Sequence, residues 1–160
     1  MEDKFKKYND LVKQCEAKYI SENDRFNKLN EEITLMLNAF SFDEGESMIT
    51  YQTLAGLEFD KWFPVNDGVK FKRIFNPNKP VFYITEMDPS ATTDGVAIFG
   101  TQKHDCKELC TVIEGELIEG NEGNKKYVTG DIVIYPTDYL HKPKAKVFSK
   151  YLVEFINPNK

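Results

Sequence analysis

The chain has 160 residues, enough for one domain with a real core and too few for two ordinary ones. Hydrophobic residues make up 41% and charged residues 29%, a soluble globular profile, and the net charge of -5 argues against nucleic-acid or anionic-membrane partners, whose phosphates need a basic face. No apolar stretch approaches bilayer length, the charged start Met1-Glu2-Asp3-Lys4 leads into no signal-like apolar run, and three cysteines (Cys15, Cys106, Cys110) do not suggest a disulfide framework, so a cytoplasmic protein with reduced thiols is expected.

Residues 3 to about 40 read as helix. Phe5, Tyr8, Leu11, Val12, Cys15 and Tyr19 recur at three- and four-residue spacing and form one apolar stripe. Ser21-Glu22-Asn23-Asp24 marks a break, and Phe26, Leu29, Ile33, Met36 or Leu37, and Phe40 form a second stripe. Two amphipathic helices and one bent helix fit this pattern equally well. Charges on the stripe are balanced, which suits a solvated outer face.

From Ser41 to Val65 the pattern is irregular, with a short helix expected around Tyr51 to Leu57 and a turn at Phe63-Pro64. After that the period is two. Strands are expected over Val69 to Ile74, Val81 to Met87, Val96 to His104, Leu109 to Leu117, Lys126 to Val128, Ile132 to Tyr135 and Val147 to Ile156. Asn76-Pro77-Asn78, Asp88-Pro89-Ser90 and Asp94-Gly95 separate the early ones, and Glu119 to Asn124 is a hairpin loop by composition. Short strands joined by polar turns predict a mainly β fold, an antiparallel sandwich or barrel over residues 43–160 behind a helical segment over 1–42.

The chain's two histidines, His104 and His141, both fall at strand ends. On a strand Gln102 and His104 share one face, and Asp105-Cys106-Lys107 can turn the chain so that Glu108 opens the next strand on the same side. Cys110 faces the side of Glu108, but a free cysteine is usually a small buried residue and is not read as a ligand. Tyr139, beside the His141 turn, is a candidate acid or hydrogen-bond donor, although packing at the rim is the simpler role. Only Arg25 and Arg73 carry guanidinium, and Arg73, on an early strand, is the candidate anchor for an anionic substrate.

These residues resemble the two motifs of the cupins. The first motif runs Gly, five residues, His-x-His, three or four residues, Glu, six residues, Gly; here Gln102-Lys103-His104 precedes Glu108 by three residues and Gly115 follows after six. The second runs Gly, five residues, Pro-x-Gly, two residues, His; here Gly130 precedes Pro136-Thr137-Asp138, and His141 follows after two. The resemblance is closest over residues 96–144 and does not reach the helical segment. Gln102 stands for the first His, and Asp138 for the second motif's Gly.

The resemblance implies a small RmlC-like jelly roll holding one divalent transition metal ion (iron, manganese, nickel or zinc) on His104, Glu108 and His141, with Gln102 as a fourth ligand or an outer donor. It implies a small-molecule ligand and a range of metal chemistry: dioxygenases, isomerases, epimerases, decarboxylases and lyases. An enzyme acting on a small polar metabolite is the first expectation. A non-catalytic sensor or assembly module, with the helices pairing two copies as a homodimer, is the second. The character of the cavity wall separates them.

Overall fold

The computed structural model describes residues 47–159. The helical segment expected over residues 1–42 and the domain boundary after it lie outside the described residues. What is described is mainly β, as the alternation of apolar residues requires.

A two-residue strand β1 (Ser47–Met48) leads to a single helical turn α1 (Tyr51–Leu54). Thr50 caps that turn by accepting a hydrogen bond from the Thr53 amide at 3.2 Å. Then follow β2 (Trp62–Asn66), β3 (Val69–Arg73), β4 (Phe82–Met87), β5 (Ala97–Ile98), β6 (Gln102–Lys103) and β7 (Lys107–Glu114). The chain closes with β8 (Glu116–Glu119), β9 (Lys125–Val128), β10 (Ile132–Tyr135), β11 (Pro143–Ala145) and β12 (Ser149–Ile156).

These strands form two antiparallel sheets, one in the order β10-β7-β12-β4-β3-β2 and one in the order β5-β11-β8-β9. β1 adds a short parallel pairing to β6. Period-two burial is clearest on β12, where Ser149, Tyr151, Val153 and Phe155 are buried and the residues between them are not. Of these, Tyr151, Val153 and Phe155 meet Phe71, Tyr83, Met87 and Cys110 from the large sheet and Leu117 and Pro143 from the small one around a common cavity. The aromatic content expected to fill a β interior therefore sits between the sheets.

Three departures from the sequence reading have simple causes. Phe63-Pro64 is not a turn but part of β2. That strand lies at the sheet edge and pairs with β3 alone, where a residue lacking an N–H is tolerated, and the register slips between Pro64 and Asn66. The expected strand over residues 96–104 breaks into β5 and β6. β11, expected to start with His141 after the turn at 136–140, begins two residues later at Pro143 and runs three residues, because His141 itself pairs only as an isolated bridge to Gln102.

Gly115 turns β7 into β8 with φ of 79°, in the left-handed region. A Cβ there would lie 2.3 Å from both the Phe148 carbonyl oxygen and Ser149 Oγ. Gly123 has a similar φ of 66° but open space around it. Gly115→Ala is expected to cost at least about 1 kcal/mol more than Gly123→Ala, read as the difference in urea unfolding free energy. Equal costs would show that the close approach to β12 is not a constraint.

Candidate metal centre

His104 and His141 come together through the backbone. Gln102 and His141 form an isolated antiparallel bridge, each amide donating to the other's carbonyl at 2.9 Å. The turn before His141 is tied to the same place, because the Asp138 amide donates to the His104 carbonyl at 2.8 Å. Asp138 adopts φ of 62°, a conformation that Asp tolerates better than most residues and that suits its standing where cupins carry Gly. Glu108 arrives from β7, where it pairs across the sheet with Tyr135 and Phe155.

All three side chains are buried: His104 is 3% exposed, Glu108 7% and His141 1%. One ligating atom from each lies within 4.8 Å of the others. His141 Nε2 is 3.1 Å from Glu108 Oε2, within ion-pair distance but off the line a hydrogen bond needs. The imidazole centroids are 5.1 Å apart.

Each ring is held by its other nitrogen. His104 Nδ1 lies 2.9 Å from the Ile49 carbonyl oxygen, and His141 Nδ1 lies 3.2 Å from that of Tyr139. A carbonyl only accepts, so Nδ1 carries a proton in both rings, and each ring in its neutral form presents a lone pair at Nε2. Among the described residues, four buried side-chain polar atoms have no hydrogen-bond partner, and three of them are His104 Nε2, Glu108 Oε2 and His141 Nε2. Buried polar atoms are almost always paired, so three orphans converging on one point match the donor set of a bound cation. Two donors about 2.1 Å from a shared tetrahedral ion lie about 3.4 Å apart, so the set draws in around an ion when one binds.

The electrostatics agree. Burial pushes the His104 imidazole below its ordinary pKa, outweighing the pull of Glu108. Burial acts the same way on His141, but there the adjacent Glu108 carboxylate prevails and the pKa is raised. Burial alone would raise Glu108, yet the two histidines, His141 foremost, hold it below the usual carboxylate range. Glu108 is thus an anion at neutral pH, ready to meet a cation.

Sequence reasoning missed the residues that brace this set. The Tyr135 ring stacks on His141, centroids 4.2 Å apart and planes 16° from parallel. Its hydroxyl donates to Glu119 Oε2 at 2.8 Å, and the other oxygen of that fully buried carboxylate accepts from the Lys142 amide at 2.5 Å. Glu119 therefore fixes the residue after His141 and the ring lying against it. By composition Glu119 read as the start of a polar loop, and no local signal marks it as buried. Ile49, which orients His104, lies far upstream; its place follows from its amide donating to the Lys103 carbonyl and from the Tyr51 amide donating to Asp105 Oδ1 at 2.7 Å.

The remaining candidates divide. Gln102 is buried and lines the cavity beside His104 and Glu108. Tyr139 is turned away: its hydroxyl donates to Glu122 Oε1 at 2.7 Å, and that bond, with some burial, pushes its pKa up to about 12. Arg73 does not line the cavity. Its guanidinium donates to the carbonyls of Ala55, Leu57 and Pro80 at 2.8 to 2.9 Å, so it ties loops together and is not placed to anchor a substrate. Cys106 and Cys110 are free and buried, and burial raises both thiols, Cys106 to about 12, which leaves them protonated and poor ligands.

No family model and no curated protein matches the sequence. Solved structures do. The Rhodobacter sphaeroides SigE complex with the anti-sigma ChrR aligns with a TM-score of 0.50 at 19% identity, over 62% of this chain and 50% of that one, so this chain spans about half its length. An RmlC-like cupin from Shewanella frigidimarina aligns with a TM-score of 0.49 at 16% identity, over 62% and 87% of the two chains. KdgF from Halomonas sp. aligns at 0.48 and 14%, over 64% and 97%. The likeness is one of fold. At these identities the likeness concerns the cupin fold and carries no activity with it.

The brace is testable in this chain without any ion. Tyr135→Phe leaves a buried Glu119 oxygen without its donor and is expected to cost about 1 to 3 kcal/mol in chemical denaturation. Tyr139→Phe, at the rim, is expected to cost less; the reverse order would remove Glu119 and Tyr135 from the support of the centre.

Proposed function

We propose that this cupin binds one divalent transition metal ion through His104 Nε2, Glu108 and His141 Nε2, with Gln102 beside them, and acts through it on a small molecule in the adjoining cavity. The observation that carries the reading is the convergence of three buried, unpartnered donor atoms. Two imidazoles and one carboxylate, without thiolate, suit iron(II), manganese, nickel or zinc. When bound, such an ion polarises an oxygen or nitrogen donor of a ligand or lowers the pKa of a bound water.

The chain's own part is to hold and orient. Ile49 and Tyr139 keep both Nδ1 protons in place, so each Nε2 is available without loss of a proton at His104. Glu108 supplies one negative charge, and Glu119 and Tyr135 keep His141 from rotating. The cavity encloses about 50 Å³, room for a few waters or a small ligand group, and His104, Glu108 and Gln102 form part of its wall.

A second reading, a non-catalytic ligand-sensing module, is favoured by one observation. Tyr83, Tyr135 and Tyr151 on the wall all hold their protons far more tightly than a free tyrosine because they are buried, and each hydroxyl already donates to the protein. None of them can serve as a proton shuttle near neutral pH. Catalysis would therefore fall to the ion and its ligands.

Elemental analysis of protein purified without added metal tests the site. Close to one equivalent of a first-row transition metal is expected in the parent and in Cys110→Ser, and at least tenfold less in His104→Ala and Glu108→Ala. Equal content in all four would discard it.

A further inference from the structure

The cavity wall says what kind of molecule fits beside the donors. Resting on the metal reading above, we infer that the ligand of this centre is a small uncharged molecule with an apolar, flat body and one donor atom for the ion. It is not an organic acid, a sugar acid or a phosphate ester.

Three observations lead there. Among the described residues the lining includes no Lys or Arg, and Arg73, on the inner side of β3, is engaged by three backbone carbonyls. A carboxylate or phosphate away from the ion would lose its hydration in this cavity with no cation to replace it, a cost of several kcal/mol. The polar groups on the wall are also largely occupied, since Tyr83 donates to the Leu54 carbonyl, Tyr135 to Glu119 and Tyr151 to the Glu116 carbonyl. A polyhydroxylated ligand would find Gln102 and Thr85 but few other partners, and unmatched hydroxyls are penalised.

What the wall does offer is rings. Phe71 packs at 5.5 Å from Tyr83 and 6.4 Å from Phe99, and Tyr83 at 5.8 Å from Phe155. Phe155 in turn sets its edge against His104 at 4.9 Å. The aromatic cluster is therefore continuous from the body of the cavity to the ligand set. Flat apolar surface is what such a lining takes up most favourably, with the donor atom pointing to the histidine end.

The test uses the full chain loaded with Co²⁺, whose visible absorption reports any molecule that joins the ion. 4-Methylpyridine and pyridine-4-carboxylate present the same ring nitrogen and differ in the charge at the far end. The neutral probe is expected to shift the cobalt spectrum with at least about tenfold higher affinity than the anion, beyond their ratio for aqueous Co²⁺. Comparable affinities, tighter binding of the anion, or no shift with either overturns the inference while leaving the metal centre standing. Cobalt that fails to bind the parent, or binds His104→Ala equally, removes the metal reading and this one with it, before any probe is added.

Discussion

Two histidine rings in this chain are each held by the wrong nitrogen for solvent and the right one for an ion. The Ile49 and Tyr139 carbonyls take the Nδ1 protons, and what remains is a pair of Nε2 atoms, neither with a hydrogen-bond partner, facing a buried carboxylate oxygen. Leaving such atoms dry and unpaired is costly in an ordinary core. Among the described residues no hydrogen-bond partner relieves it, and the strand pairings hold the three groups together. A cation is the species that satisfies all three at once.

Much of the surrounding architecture makes sense as the means of holding that geometry. The bridge between Gln102 and His141 sets the spacing of the two rings, and the Asp138 amide fixes the turn that carries the second. The Tyr135 ring and the buried Glu119 carboxylate hold His141 from behind. The braces come from β6, β8, β10 and the turn at Asp138, so local unfolding at any one of them is resisted by the others. The aromatic wall beside the donors then determines which molecules reach the ion on favourable terms.

The grouping of His104, Glu108 and His141 was legible in the sequence because it rests on short-range rules. Alternation on a strand places Gln102 with His104 and Cys110 with Glu108, and a turn of fixed length leads to His141. The strands of the large sheet were legible for the same reason, since β4 and β12 alternate without interruption. What was hidden depends on the sheet as a whole. Pro64 reads as a turn until β2 is known to be an edge, and Glu119 reads as solvated loop until Tyr135 and Lys142 arrive from other strands. Arg73 looked like an anion anchor because it is one of two arginines and lies on an early strand; only the three carbonyls around it show that its charge is already engaged. Tyr139 lies next to the site in sequence, yet its hydroxyl turns toward Glu122.

X-ray absorption on the zinc-loaded protein examines the centre most directly, since it counts the atoms around the ion by element. The account predicts a shell of nitrogen and oxygen at about 2.0 to 2.2 Å with the outer scattering of two imidazoles and no sulfur. A sulfur neighbour at about 2.3 Å, or a shell showing fewer than two imidazoles, would contradict it.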